Sequence, residues 1–373
     1  MSKGKILFSG NTAWSMYNFR RQVISHFIKE GYDAVVVAPN DNVHNKKLEE
    51  IGAKFINIEL DRKGTNPIGE LKLFFRFRKI IKSEKPDYCF FYTIKPNIYG
   101  GLAAGLTKTN FTPITTGLGF IFNNKGMVSK ISKSLYKAAF SFADNVWFLN
   151  DQDKKDFVES KIIKEEKGFV LKAGEGLDIN RFHLTEITGD KRSFLLSARM
   201  LYEKGVGIFE EAARILKPQY PNVEFNLLGF IDKGNPEGIP EETINQWVKE
   251  GNVNYLGKTD DVRPFIEQST CVVLPSYYRE GVPFSILEGA ACGRPIITTD
   301  NTGCREVVND GVSGYLCKKK DAQSLAKAME KIINSDNETL NKMGKAGREK
   351  VENEFNVNDV IEIYKQEIKK HLK

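Results

Sequence analysis

Short apolar runs alternate along this chain with longer stretches in which apolar side chains recur every three or four positions. In the first half, Lys5 to Ser9 reads as a buried strand and Tyr17 to Glu30, closed by Gly31, as a helix. Asp33 to Ala38 is a second strand stopped by Pro39, Lys54 to Ile58 a third, and a helix follows from Pro67 to Ser83. Further strands are expected at Asp87 to Tyr92, Thr112 to Thr116, Asn145 to Leu149 and Gly168 to Lys172. After Gly174-Glu175-Gly176 and a polar stretch from Thr185 to Lys191 the alternation restarts. Strands are expected at Ser193 to Ser197, Val223 to Leu228, Val253 to Leu256, Thr270 to Leu274 and Pro295 to Thr299. Helices are expected at Gly205 to Leu216, Asp260 to Gln268, Phe284 to Cys292 and Ala322 to Ile333. Alternation of this kind implies parallel sheets flanked by helices.

The restart places a boundary near residue 180 and divides the chain into 1–180 and 181–373. A chain of 373 residues is too long for one compact core of ordinary size and suits two. Its last segment, Val357 to Leu372, is an amphipathic helix with no strand after it. The expected fold class is α/β with two doubly wound domains, whose ligands bind beyond the carboxyl ends of the strands.

Composition narrows this only a little. The chain is 41% apolar and 28% charged, which is ordinary for a globular protein. Its net charge of +7 either serves solubility or meets a phosphate-bearing substrate or an anionic membrane, depending on where it sits. The five cysteines, Cys89, Cys271, Cys292, Cys304 and Cys317, form no C-x-x-C pair and read as reduced, mostly structural thiols. Neither they nor the four histidines show a metal-site spacing, so no metal and no cofactor are expected. Met-Ser-Lys-Gly-Lys runs straight into a strand, and no window approaches 18 apolar residues. The expected location is the cytoplasm, with a peripheral position on a membrane still open.

The chemistry-bearing segments lie at strand ends. Arg279-Glu280-Gly281-Val282-Pro283-Phe284-Ser285-Ile286-Leu287-Glu288 joins a strand to a helix, with Pro283 in the first helical turn. The N–H groups around Phe284 and Ser285 then form an anion site at a helix N-terminus. Glu280 and Glu288 flank it, as suits sugar hydroxyls on either side of a diphosphate; a solvated loop glutamate and a helix-surface glutamate fit the spacing as well. In Ser197-Ala198-Arg199-Met200-Leu201-Tyr202-Glu203-Lys204-Gly205, Arg199 offers a bidentate fork and Lys204 a point charge for the same diphosphate, unless both are simply solvated.

In order and spacing these segments, with Ala291-Cys292-Gly293-Arg294-Pro295-Ile296-Ile297-Thr298-Thr299-Asp300, resemble the retaining glycosyltransferases of family 4. The resemblance covers nearly the whole chain. It implies the GT-B fold, two Rossmann-like domains facing a central cleft, with the last helix packing back toward the N-terminal, acceptor-binding domain. It implies that Arg199 and Lys204 bind the donor diphosphate, that Glu280 contacts the transferred sugar and that Glu288 holds the ribose hydroxyls. Gly281, Val282, Pro283, Phe284 and Ser285 would complete the donor site, with Leu256 and Gly257 lining the base pocket.

The first strand-to-helix loop, Ser9-Gly10-Asn11-Thr12, has one glycine where many family members carry two and no dinucleotide fingerprint; Gly10 remains a donor-site candidate. Tyr92 to Gly100 and Thr115 to Phe120 resemble the members that build bacterial O-antigen, capsule and lipid-linked oligosaccharides. They offer Lys95, Asn97, Thr116, Gly117 and Gly119 as acceptor contacts, or form structural loops. Thr116 stands where many relatives have histidine. Two basic stripes, Lys72, Arg76 and Lys79 beside Phe75, and Lys130, Lys133 and Lys137, favour an anionic inner-membrane surface or are ordinary solvated faces. No nucleic-acid motif is present.

The resemblance implies retention of the donor's configuration through a front-face reaction, without metal. The donor it implies is a UDP-sugar, UDP-GalNAc before UDP-GlcNAc, and the acceptor a polyprenyl-diphosphate-linked saccharide. A nucleotide-sugar epimerase of the same architecture and a non-catalytic nucleotide-sugar-binding scaffold are the competing readings.

Overall fold

The computed structural model describes residues 2–61, 66–116 and 126–372. The chain divides into two compact units, Met1–Gly176 with Val357–Lys373, and Leu177–Asn356.

The first unit is built on seven strands, β1 (Lys5–Ser9), β2 (Asp33–Ala38), β3 (Lys54–Asn57), β4 (Tyr88–Tyr92), β5 (Asn110–Thr115), β6 (Val146–Phe148) and β7 (Gly168–Val170). Between them run α1 (Ala13–Lys29), α2 (His44–Glu50), α3 (Pro67–Glu84), α4 (Gly101–Thr107), α5 (Met127–Phe140) and α6 (Asp151–Glu159). The second unit has six strands, β8 (Ser193–Ser197), β9 (Glu224–Leu228), β10 (Asn254–Tyr255), β11 (Cys271–Leu274), β12 (Ile296–Thr299) and β13 (Gly314–Cys317). Its helices are α7 (Val206–Leu216), α8 (Glu241–Lys249), α9 (Arg263–Glu267), α10 (Phe284–Ala291), α11 (Ala322–Ile333) and α12 (Asn337–Glu354), and α13 (Val357–His371) ends the chain.

Both sheets are parallel, in the orders β3-β2-β1-β4-β5-β6-β7 and β10-β9-β8-β11-β12-β13. Helices cover both faces, so central strands such as Tyr88-Cys89-Phe90-Phe91-Tyr92 are buried throughout and read as unbroken apolar runs. Side chains alternate between faces: Phe90 meets α1 and α13, while Cys89 and Phe91 meet α3, α4 and α5. The strand order reverses between β1 and β4, and again between β8 and β11. Those switch points are where open sheets of this kind bind ligands.

Although last in the chain, α13 is part of the first unit's core. The Tyr364 ring packs against Phe90 and Trp147, and its hydroxyl shares a 2.9 Å hydrogen bond with that of Tyr92. Glu367, almost fully buried, accepts from Asn145 at 2.8 Å and from the Tyr88 hydroxyl at 3.1 Å. Paired in this way, the carboxylate avoids the heavy cost of a lone buried charge.

Several elements differ from expectation for local reasons. α1 starts four residues earlier than its apolar period, because the Thr12 side chain caps it by accepting from the Ser15 N–H at 3.0 Å. α9 begins only at Arg263; Asp261 lies before it and its carboxylate takes the Arg263 N–H and guanidinium. α12 was not expected, since its buried stripe, Leu340, Met343, Gly344, Gly347 and Val351, includes two glycines that leave the apolar period faint. A Cβ on Gly344 would run into the Gly293 carbonyl oxygen. Gly344→Ala is therefore expected to lower stability by about 1–3 kcal/mol, the usual cost of overpacking, despite alanine's better helix propensity. Chemical denaturation measures this; an unchanged midpoint would show that the helices separate without cost.

Candidate functional site

The expected donor residues converge at the carboxyl edge of the second sheet. β8 runs into the loop bearing Arg199 and Lys204, and β11 into the loop bearing Glu280. The Tyr277 and Tyr278 N–H groups both donate to the Glu203 carbonyl, at 3.1 and 3.2 Å, which joins the two loops. Gly205 makes this approach possible. It sits at φ +78°, and a Cβ there would collide with the Pro275 carbonyl. As a result the Lys204 ammonium reaches Glu280 Oε1 at 2.5 Å, with the side chains only 18% and 10% exposed. The buried Ser276 hydroxyl lies 2.8 Å from the same oxygen.

Residues at the end of β12 and just after it hold the Glu280 loop from its other side. The Asn301 side-chain amide donates to the Tyr278 carbonyl, and the Thr299 hydroxyl to that of Ser276. Gly303, at φ +85°, lies so close that a Cβ would meet the Gly281 and Glu280 carbonyls. Sequence reading did not single out Ser276, Asn301 or Gly303. Their signal was their place at strand ends, since nothing in their own spacing points to Glu280.

Arg199 is about half exposed and pairs with Asp232 at 3.3 Å. The Asp232 loop is laced to the Arg199 loop by Tyr202 N–H to Glu237 O at 2.9 Å and Ile239 N–H to Met200 O at 3.0 Å. Close by, Gly229 donates to the Gly257 carbonyl at 2.7 Å and accepts from the Tyr255 hydroxyl at 2.8 Å. Leu256 stands exposed beside that turn.

Pro283 takes the N-cap position of α10, one residue earlier than expected, and supplies no capping side chain. Phe284 and Ser285, both half-buried, open the helix, and Glu288 lies one turn along it, also half-buried. Gly281 and Val282 complete the loop. Burial, which outweighs the opposing pull of Lys204 and Arg199 and is helped by the Glu237 and Glu280 carboxylates, holds Glu203 above the usual carboxylate range. Burial pushes the Cys304 thiol up to about 12, so next to this loop it stays protonated and is no nucleophile. All five cysteines are buried and free. The described residues contain no group of three potential metal ligands.

The first-unit candidates fare unevenly. Gly10 follows β1, with its N–H on the Val37 carbonyl at 3.3 Å. Thr116 is half-buried just past β5. Lys95 is ion-paired with Glu70 and 14% exposed. Asn97 is fully buried inside the turn Pro96–Gly100, and its amide donates to the Ile114 carbonyl at 2.9 Å. It braces that turn against β5 and is not a surface contact, which corrects the expectation. Gly117 and Gly119 lie outside the described residues. On α3, Lys72, Phe75 and Lys79 are exposed, but Arg76 is taken by the Glu59 carboxylate and carbonyl and drops out of the basic stripe. On α5, Lys130 and Lys137 are exposed while Lys133 is half-buried. No described helix is long and apolar enough to cross a membrane.

Known proteins share this architecture over most or all of their length. Residues 180–350 match the family model of glycosyl transferases group 1, and residues 5–150 that of glycosyl transferase 4-like proteins. The N,N'-diacetylbacillosaminyl-diphospho-undecaprenol alpha-1,3-N-acetylgalactosaminyltransferase of Campylobacter jejuni is 30% identical over 95% of this chain and 96% of its own. The Escherichia coli UDP-Gal:alpha-D-GlcNAc-diphosphoundecaprenol alpha-1,3-galactosyltransferase is 27% identical over 78% of this chain and 77% of its own. Among solved structures, Anabaena HepE in complex with UDP and glucose superposes with a TM-score of 0.81 at 18% identity, over 98% of this chain and 100% of that one. Its low identity speaks for the fold alone. Parallel sheets of this kind, joined to near-complete coverage by a relative at 30% identity, place the chain in the group 1, family-4-like glycosyltransferases of GT-B fold.

Proposed function

We propose that the protein transfers N-acetylgalactosamine from UDP-GalNAc to a polyprenyl-diphosphate-linked saccharide, with retention at the anomeric carbon. The observation that carries this reading is the Lys204–Glu280 pair at the carboxyl edge of the second sheet, with Arg199 on the adjoining loop. The sugar and the lipid-linked acceptor are drawn from the Campylobacter jejuni relative, named for both.

In this reading the donor diphosphate lies over the start of α10, where the Phe284 and Ser285 N–H groups and the helix dipole favour negative charge. Arg199 leaves Asp232 for it, and Lys204 shares it with Glu280. Leu256 and Gly257 border the base, and Glu288 takes the ribose hydroxyls. Glu280 holds a hydroxyl of the transferred sugar. As the glycosidic bond to the diphosphate breaks, charge grows on the leaving oxygen, and the two cations stabilise it. The leaving diphosphate takes the proton of the acceptor hydroxyl as that oxygen bonds to the same face of the anomeric carbon. Lys95, Thr116, Gly117 and Gly119 are the acceptor-side candidates. A polyprenyl chain keeps the acceptor in a bilayer, so this reading also places the enzyme on an anionic membrane face, the cytoplasmic side of the inner membrane.

The test is a mass-spectrometric screen of purified protein with a panel of UDP-sugars and a short polyprenyl-diphosphate-sugar. A product one N-acetylhexosamine heavier, with one UDP released per transfer, is expected. Transfer of hexose alone overturns the choice of sugar. An epimerised nucleotide sugar without acceptor would establish the epimerase instead.

A further inference from the structure

Exposed apolar side chains gather on the layer formed by α3, α4 and α5. They are Ile68, Leu71 and Phe75 on α3, Leu106 near the end of α4, Ile131 on α5 and Phe142 just beyond it. Where α3 and α4 end, two adjoining concavities of about 450 and 490 Å³ share Arg78 and Lys82. Phe75 and Lys79 line the first, and Lys85, Lys108 and Leu106 the second. Among the described residues none of these five cations pairs with a carboxylate, whereas Arg76 on the same helix is taken by Glu59. Glu84, the acid at this end of α3, is occupied by Lys54 at 2.7 Å and Lys5 at 3.5 Å.

Five cations without an ion-pair partner around two adjoining hollows attract phosphate. The exposed rings and branched chains beside them decide which phosphate, because a soluble anion gains nothing from Phe75 or Leu106. Cations interleaved with large apolar side chains suit the headgroup layer of a bilayer, where charge meets phosphodiester and the apolar groups enter the acyl boundary.

We propose that this surface is a docking site for anionic phospholipid, with phosphodiester headgroups in the hollow between Arg78 and Lys108 and with Phe75 and Leu106 inserted beside them. The site rests on the reading that the acceptor is lipid-borne, and it differs from the stripe read from sequence. Of that stripe Lys79 and Phe75 are kept, Lys72 and Arg76 are excluded, and Arg78, Lys82, Lys85 and Lys108 are added.

Co-sedimentation of the full chain with vesicles of phosphatidylcholine, with and without phosphatidylglycerol, tests this. Binding is expected only with phosphatidylglycerol and is expected to weaken as salt rises. The double variant Lys82→Glu, Lys108→Glu is expected to lower partitioning at least about 10²-fold, on the scale of a four-unit loss of positive charge. A control with the same charge change on the second unit, Lys249→Glu, Lys342→Glu, is expected to bind as wild type does. Turnover of a water-soluble acceptor analogue is expected to be unchanged in both variants. If wild type ignores anionic vesicles, the docking site and the membrane placement both fall. If wild type binds and Lys82→Glu, Lys108→Glu binds equally well, the site alone falls and the lipid-borne acceptor stands. Equal loss in both double variants would reduce the effect to net charge and overturn the site. Tight binding of inorganic phosphate without vesicle binding, lost in Lys82→Glu, Lys108→Glu, would make it a soluble-anion site.

Discussion

Lys204→Ala is expected to lower turnover by at least about 10²-fold, the scale for removing one donor aimed at charge that develops in the transition state. Two effects act in the same direction. The leaving diphosphate loses a cation, and the Glu280 carboxylate, only 10% exposed, loses its 2.5 Å partner. Without that cation the carboxylate repels the diphosphate it formerly helped to seat. Losing this ion pair from a mostly buried carboxylate is also expected to cost about 1–3 kcal/mol of stability, so rates must be compared well below the variant's melting temperature. Arg199→Ala is expected to fall in the same range. Steady-state UDP release with saturating acceptor measures both, and a kcat within about threefold of wild type would remove the residue from the chemistry.

Gly303→Ala is expected to be as damaging, although Gly303 touches no substrate in the proposed reaction. Its methyl group would occupy the space of the Gly281 and Glu280 carbonyls, so the loop carrying Glu280 must move. A shift of about 1 Å in a positioned group can cost about 10²-fold in rate. The left-handed backbone at φ +85° adds about 1–2 kcal/mol of strain for any residue with a Cβ. Gly189→Ala separates the two causes. Its φ is +75°, and nothing lies within 4 Å of the added carbon, so it carries the strain without the collision. The expected pattern is a folded Gly303→Ala with kcat reduced about 10²-fold, and Gly189→Ala with full activity and a lower melting temperature. Equal activity in the two would show that the Glu280 loop adapts.

The architecture was legible because its strands are buried on both faces. A run such as Ile6-Leu7-Phe8 has no solvated side to blur the signal, and the turns after it are marked by glycine or proline. Arg199, Lys204, Glu280 and Glu288 were legible as charges at strand-to-helix junctions. The contacts that assemble them were not. Asn301 and Gly303 stand more than twenty positions from Glu280, and only the pairing of β11 with β12 brings them beside it. Asn97 misled because a polar residue between proline and glycine looks solvated, whereas a tight turn folds it inward onto Ile114. Arg76 misled because helical spacing tells which way a side chain leaves its helix, and not that Glu59 waits there.

The place of α13 gives the chain an unusual order of assembly. Synthesis runs from the amino terminus, and domains generally fold as units while they emerge. The second unit is continuous in sequence and can close as soon as Asn356 has appeared. The first unit, begun before the second, is completed after it, because Tyr364 and Glu367 reach it only once the whole second unit has been made. Until then Phe90 and Trp147 lack their cover. A nascent chain of this kind carries an open hydrophobic face while the whole second unit is being made, and truncation before α13 would strand it there.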